Sequence, residues 1–232
     1  MNQRALLAAV CALQALTGTA LAADYSEFWP ELSAYYQLNP RVRSYLDMSY
    51  SKGKETDQLG LDASASIDVS LKPMLRQALL SKEWERNRYL WARIGYTRVL
   101  DLEGNGSREV NEDRGVIALY ARVPNLPAGI ALETRVRADL RWIGGDYSNR
   151  YRLRLDLSRE MEIRAHTVVP YVNYEWFYDT RYEAWARTLL QGGVEVTEGA
   201  HFRYEAYLAH LDVHDPSAST TNALGIVLKW YY

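Results

Sequence analysis

The feature that most constrains this chain is a strict alternation of residue types between positions 129 and 157. From 130 to 142 every second residue is apolar or threonine, ending in Trp142, and most of the residues between them are charged. After a turn-like stretch at 143–149 the same alternation returns at 150–157. A period of two is that of a β-strand, whose side chains point to opposite faces in turn. The pattern therefore predicts two strands, each with one apolar and one charged face.

The composition of the two faces indicates which way they point. A water-soluble sandwich would turn its apolar face inward. Here the polar face carries repeated arginines with interleaved acids, and the apolar face ends in tryptophan. This combination favours a transmembrane barrel, with the apolar face toward lipid and the charged face toward a lumen.

The first 22 residues have the features of a cleaved signal peptide. Arg4 supplies a positive start, residues 5–16 are largely apolar, and Ala20-Leu21-Ala22 forms a cleavage site. An N-terminal membrane anchor is the alternative, but the apolar run is short and interrupted by polar residues. We expect residues 1–22 to be removed and residues 23–232 to form one β-barrel domain. The only cysteine, Cys11, lies in the signal, which excludes disulfides and thiolate chemistry from the mature chain.

Composition narrows the class of protein further. After residue 22 no run approaches the roughly 18 apolar residues of a transmembrane helix. A net charge of −2 gives no reason to expect nucleic acid as a partner. Tyrosine and tryptophan, 18 and 7 residues, far outnumber the 3 phenylalanines, and amphipathic rings are favoured at a membrane interface. The predicted location is the outer membrane of a Gram-negative cell.

About eleven segments of the chain alternate as strands do. Short turns are expected near 39, 125 and 198, a middling one at 160–166, and longer loops at 52–58, 100–111, 143–149, 178–184 and 212–222. Short turns on one side and long loops on the other are typical of outer-membrane barrels, which usually have an even number of strands. We therefore predict an all-β, antiparallel up-and-down barrel of about 12 strands, or of 10, with an undetected strand within 72–87 or 23–27.

The last residues alternate to the end of the sequence, with Leu224, Trp230 and Tyr232 on one face. This ending resembles the C-terminal aromatic signal that the barrel assembly machinery reads, although a plain last strand is the alternative. The predicted partners are outer-membrane lipid and, through Trp230 and Tyr232, that machinery.

The charged faces of the predicted strands would form the lumen. The residues expected to line it are Arg41, Arg43, Arg93, Arg135, Arg137, Arg141, Arg150, Arg152, Arg154, Arg187, Arg203, Glu133, Asp139, Asp156, Glu175 and Glu205. The same faces also carry Arg114, Arg122, Asp47, Asp62, Asp68 and Glu112. Arginine exceeds acid, which predicts a small porin or channel that passes anionic solutes. The alternative is a structural barrel in which the charges pair and fill the interior.

An enzymatic role has less support from the sequence. None of the serines lies in a nucleophile-elbow motif, so an outer-membrane enzyme acting on lipid or polysaccharide would need a triad assembled around a histidine such as His201. No cofactor is expected. His210, Asp212 and His214 alternate on one face and are weak candidates for a divalent metal site. A solvated strand end that leads into a loop is the preferred interpretation, so no metal is predicted.

Several short motifs resemble the DUF2490 family of outer-membrane β-barrels. They are Phe28-Trp29, Gly95-Tyr96, Glu112-Asp113-Arg114, Arg135-Val136-Arg137 and the run RYRLR at 150–154. The chain departs from the family pattern at 72–87 and near 185–191. The resemblance implies an outer-membrane barrel without an established activity, and the size and inward arginines are also similar to those of small oligosaccharide porins.

Overall fold

The chain forms a closed all-β barrel in a computed structural model. The structure describes residues 27–53, 59–73, 88–101, 111–163, 166–214 and 220–232. The predicted signal peptide and most of the segment at 72–87 lie outside the described residues. No helix in the described ranges is long and apolar enough to cross a membrane.

Twelve strand segments account for nearly all of the described chain. They are β1 (Glu27–Asn39), β2 (Val42–Gly53), β3 (Leu59–Pro73), β4 (Arg88–Asp101), β5 (Glu112–Leu126), β6 (Ile130–Ile143), β7 (Asp146–Arg159), β8 (Met161–Ile163), β9 (His166–Asp179), β10 (Ala184–Glu198), β11 (Phe202–Val213) and β12 (Thr221–Tyr231). A single 3-10 turn, Pro127–Gly129, joins β5 to β6.

Eleven of these strands form the barrel wall. Strands that are consecutive in the chain pair antiparallel, except that β7 pairs directly with β9. The three-residue β8 also pairs antiparallel with β9, at the start of β9 and just beyond the last residue of β7 that is paired with it. β8 thus prolongs the β7 position after a break at Glu160. Because an odd number of alternating strands leaves the first and last pointing the same way, β1 and β12 close the barrel as a parallel pair, with Leu32 opposite Leu228.

The predicted all-β barrel is confirmed, and its strand segments number twelve. The expectation of an even-stranded, wholly antiparallel wall is wrong at the seam, because β8 adds no separate position to the wall.

The prediction of a loop at 143–149 is also wrong. Gly144 and Gly145 both have positive φ, 60° and 98°, and make a two-residue hairpin between Ile143 and Asp146.

The turns at 40–41, 127–129 and 199–201 lie at one end of the barrel, called here the turn end, and the opposite end is the loop end.

The outer surface of the barrel is apolar. Its middle is aliphatic, with exposed side chains such as Leu46, Ile94, Ile117, Leu119, Val136 and Leu153. Exposed aromatic side chains flank this band; near the loop end they include Phe28, Trp142 and Trp185, and near the turn end Tyr36, Phe202 and Trp230. Phe28 and Tyr36 are eight residues apart on β1, which corresponds to about 20 Å along the axis for a typical strand tilt. Most charged residues of these strands therefore face inward, and these inward residues form the candidate site; Arg98 and Asp113 are outward-facing exceptions near the loop end.

Candidate functional site

The interior of the barrel holds a cavity of about 430 Å³. Eight cationic and six carboxylate side chains line it, together with six aromatic rings. Of the predicted lumen residues, those that line this cavity are Arg43, Arg93, Arg135, Arg137, Arg152, Arg154, Glu133, Asp156, Glu175 and Glu205. The cavity is therefore a polar compartment in which cations outnumber acids.

The remaining predicted lumen residues lie elsewhere. Asp139 and Arg141 are buried, and Arg150 is mostly so, but none of the three borders the cavity. Arg187 lies opposite Phe177 and Val213 in the sheet. The prediction for Arg41 is wrong, because this residue lies in the exposed turn before β2 begins, where the inward alternation does not reach.

Four arginines on β6 and β7 form one wall of the cavity. Arg135 is directly opposite Arg154, and Arg137 is directly opposite Arg152. Directly opposed side chains lie about 5 Å apart at Cβ, so two successive pairs of like charges are stacked here. We refer to these four residues as the arginine wall.

Carboxylates from neighbouring positions offset part of this charge. Glu175 on β9, only 1% exposed, contacts the guanidinium groups of Arg135 at 2.5 Å and Arg152 at 2.8 Å. Asp139 contacts Arg137 at 2.5 Å. The fourth arginine, Arg154, has a looser contact of 3.9 Å with Asp156. The Nε of Arg135 is buried without a hydrogen-bond partner in the described residues, so one donor of the wall is unsatisfied.

A second cluster lies toward the turn end. Asp68 is fully buried and accepts hydrogen bonds from Arg43 at 2.8 Å and from Arg93 at 2.6 Å. Arg43 also lies over the ring of Tyr35 and Arg93 over that of Tyr45, at 4.2 and 3.9 Å from the ring centroids. Two guanidinium groups are thus held by one carboxylate and by aromatic faces.

A third cluster lies near the loop end. Arg141 donates to Glu112 at 2.6 Å and to Asp179 at 2.6 Å, and Arg150 shares Asp179 at 3.1 Å. Arg114 Nε donates to Glu112 Oε1 at 2.8 Å, the same oxygen that accepts from Arg141 Nε. Three arginines thus share two carboxylates, and each guanidinium group lies within 3.1 Å of one of them, as the burial of charge requires.

Some lumen residues were not singled out by the sequence. Lys229 on β12 is paired with Glu195 at 2.8 Å and with Glu205 at 2.5 Å. Glu31 on β1 lines the cavity beside Asp47 on β2, and Ser33 Oγ lies 3.0 Å from Glu31 and 2.8 Å from Asp47. Alternation along β1 and β12 placed Glu31 and Lys229 on polar faces, but each stands alone among neutral residues, so neither strand displayed a charged run.

In the described parts of the chain the histidines contact backbone carbonyls, an amide and single carboxylates. His201 Nδ1 contacts the Tyr231 carbonyl, His210 Nδ1 contacts Asn222, and His214 Nδ1 contacts the Trp185 carbonyl. Across the described ranges there is no group of three histidine, cysteine or acidic side chains that could hold a metal. Of the weak candidates His210, Asp212 and His214, only Asp212 and His214 approach one another among the described residues, at 3.7 Å.

Comparison with known proteins gives a family but no individual relative. No curated protein and no solved structure matches the chain. The family model described as a protein of unknown function, DUF2490, matches residues 26–222, which covers β1 to the start of β12. This match confirms the resemblance drawn from the sequence motifs: the chain belongs to the DUF2490 family.

Proposed function

We propose that this protein is an outer-membrane β-barrel of a Gram-negative bacterium that admits small anionic solutes to an arginine-lined lumen. The observation that carries the proposal is the cavity, in which eight cations face six carboxylates and half of the cations belong to the arginine wall. Guanidinium groups bind carboxylates and phosphates through paired hydrogen bonds, so adjacent arginines provide successive contacts for such solutes.

The exterior supports the membrane part of the proposal. An aliphatic band between two sets of exposed aromatic residues is the surface of proteins that cross a bilayer with strands. The separation of about 20 Å between Phe28 and Tyr36 is close to the roughly 25 Å height of such a band. A closed barrel also satisfies its backbone groups internally, as the hydrocarbon core demands.

Ion selectivity in planar bilayers tests the solute part of the proposal. With a potassium chloride gradient, the reversal potential of the parent protein is expected to show preference for chloride. The double variant Arg137→Gln with Arg154→Gln removes two cavity cations and should shift this potential toward the cation-selective side. Arg98→Gln is the matched control, because Arg98 is a partly exposed arginine that pairs with Asp113 rather than lining the cavity. A folded barrel with no conductance, or an unchanged selectivity in the double variant, would contradict anion passage.

A structural barrel is the second candidate function. It is favoured by the close pairing of deeply buried charges, as in Asp68 between Arg43 and Arg93. A barrel that is stable in vesicles, silent in bilayers and impermeable to small anions would support this role.

The barrel assembly machinery is the proposed protein partner. The side chains of Trp230 and Tyr232 are 46% and 68% exposed on the outside of the closed barrel, where another protein can contact them. Replacing both by alanine should slow insertion into vesicles that contain this machinery, while insertion into vesicles without it should change less. Equal changes in the two kinds of vesicle would contradict recognition.

A further inference from the structure

We infer that the lumen cavity binds zwitterionic solutes, with the anionic group on the arginine wall and the ammonium group on Glu31 and Asp47. This inference rests on the proposed function, since it requires that solutes reach the lumen. It goes further by giving the bound solute two charges of opposite sign.

Glu31 and Asp47 form a pair of acids with a shared hydrogen-bond donor. Both line the cavity, and the Ser33 hydroxyl lies between them, 3.0 Å from Glu31 and 2.8 Å from Asp47. Ser33 is fully buried. Because a hydroxyl carries one proton, it can donate to only one of the two carboxylates at a time. The pair therefore has unused capacity to accept hydrogen bonds.

This acid pair also has no salt bridge. Among the described residues, the ion pairs of the lumen join other acids, and neither Glu31 nor Asp47 takes part in one. Lys229, on the neighbouring strand β12, is already paired with Glu195 and Glu205. The carboxyl groups of Glu31 and Asp47 are within hydrogen-bond reach of each other, and a bound ammonium group would offer three N–H donors to their remaining oxygen lone pairs.

The acid pair faces the arginine wall across the lumen. The wall of the barrel has eleven strand positions, and β1 is five steps from β6 in one direction and five steps from β7 in the other. In a closed barrel these positions are diametrically opposite. The cavity between them is bordered by Glu31 and Asp47 on one side and by the four arginines on the other.

The arginine wall has fewer close anionic partners than guanidinium groups. Three of its four guanidinium groups, those of Arg135, Arg137 and Arg152, share Glu175 and Asp139. The nearest carboxylate contact of Arg154 among the described residues is the one with Asp156 at 3.9 Å. The buried Nε of Arg135 makes no hydrogen bond to the described residues. A carboxylate at this wall would complete the charge balance.

Opposed walls select against solutes with a single charge. A simple anion would gain contacts with arginines but would be repelled by the acid pair, and a simple cation would meet the reverse situation. A solute that carries both groups satisfies both walls at once. A cavity of about 430 Å³ lies within the size range of sites for small molecules.

Calorimetric titration of the purified barrel in detergent tests this inference without any need for passage across a membrane. The probes are ε-aminohexanoate, hexanoate and hexylammonium, which have the same carbon chain and differ in charge. The parent protein is expected to bind ε-aminohexanoate at least about tenfold more tightly than either of the others, the factor that about 1.4 kcal/mol provides.

The acid pair is tested by the double variant Glu31→Gln with Asp47→Asn. It should lose about tenfold or more in affinity for ε-aminohexanoate, while hexanoate binds as well as before or better because a repulsive charge has gone. Asp62→Asn is the matched control, since Asp62 is a lumen carboxylate that does not line the cavity. The inference is overturned if the parent binds hexanoate as tightly as ε-aminohexanoate, or if the folded double variant binds all three probes like the parent. Silent bilayers together with charge-selective binding would reject passage and leave this inference standing.

Discussion

Arg137 and Arg152 face each other directly across β6 and β7, so two guanidinium groups occupy one position of the sheet ladder. The adjacent inward position repeats the arrangement with Arg135 and Arg154. Like charges in direct opposition destabilise a sheet. Here the opposing charge comes mainly from β9, because Glu175 reaches both Arg135 and Arg152. The arginine wall thus depends on a carboxylate that is 40 residues from Arg135 in the chain.

Removal of the Glu175 charge is the first test of this dependence. Glu175→Gln leaves two mostly buried arginines without their common counter-ion, and loss of one partner of a buried ion pair costs about 3–5 kcal/mol. We expect the free energy of unfolding in lipid vesicles, measured by urea titration with tryptophan fluorescence, to fall by that order. The same variant should show stronger preference for anions in a bilayer, because one cavity carboxylate is neutralised.

Glu198→Gln serves as the control for Glu175→Gln. Glu198 is exposed and its contact is with the exposed His166, so the cost should stay below about 1 kcal/mol. Similar stability losses in the two variants would show that Glu175 does not hold the arginine wall.

The sequence predicts the strands of the arginine wall well because their alternation is long and their polar residues are charged. Arg135, Arg137, Arg152 and Arg154 all border the cavity. The pairing of Glu175 with Arg135 was not predictable, since it depends on the register of β6, β7 and β9. The parallel seam was not predictable either. The number of strand positions in the wall is odd only because β8, separated from β7 by a break at Glu160, occupies the same position as β7.

Arginine placed on the outer face tests the orientation of the barrel in lipid. Leu119 lies near the middle of β5 and is 46% exposed, so Leu119→Arg would put a charge into the hydrocarbon core. The expected cost in vesicles is about 2–4 kcal/mol. Tyr182→Arg, in the turn between β9 and β10, should cost about 1 kcal/mol or less, because it lies at the loop end. Equal costs for the two substitutions would contradict lipid contact at Leu119.

A cross-linking experiment tests the parallel seam. Leu32 and Leu228 are partners in the β1–β12 register, and paired strands lie about 4.8 Å apart, which falls within the Cα separation that a disulfide tolerates. Leu32→Cys with Leu228→Cys should therefore form a disulfide on mild oxidation of the folded barrel, seen as altered migration without reductant. Leu32→Cys with Ile226→Cys should not, because a two-residue offset brings the separation to about 8 Å. Efficient cross-linking of the offset pair instead would reject this register.

The packing of Tyr207 on Gly225 gives the last prediction. These residues are partners on β11 and β12, and a methyl group at Gly225 would overlap the Cζ and Cε1 atoms of the Tyr207 ring. Tyr207 is 8% exposed and has little room to move, so Gly225→Ala should lower the free energy of unfolding by about 1–3 kcal/mol. Gly115→Ala is the control, because its nearest neighbour would be Leu140 at 3.6 Å, an ordinary contact.

In a Tyr207→Leu background the added methyl at position 225 should cost less, so the two substitutions should show a coupling of at least about 0.5 kcal/mol. An equal loss for Gly225→Ala in both backgrounds would mean that the ring of Tyr207 does not require glycine beneath it.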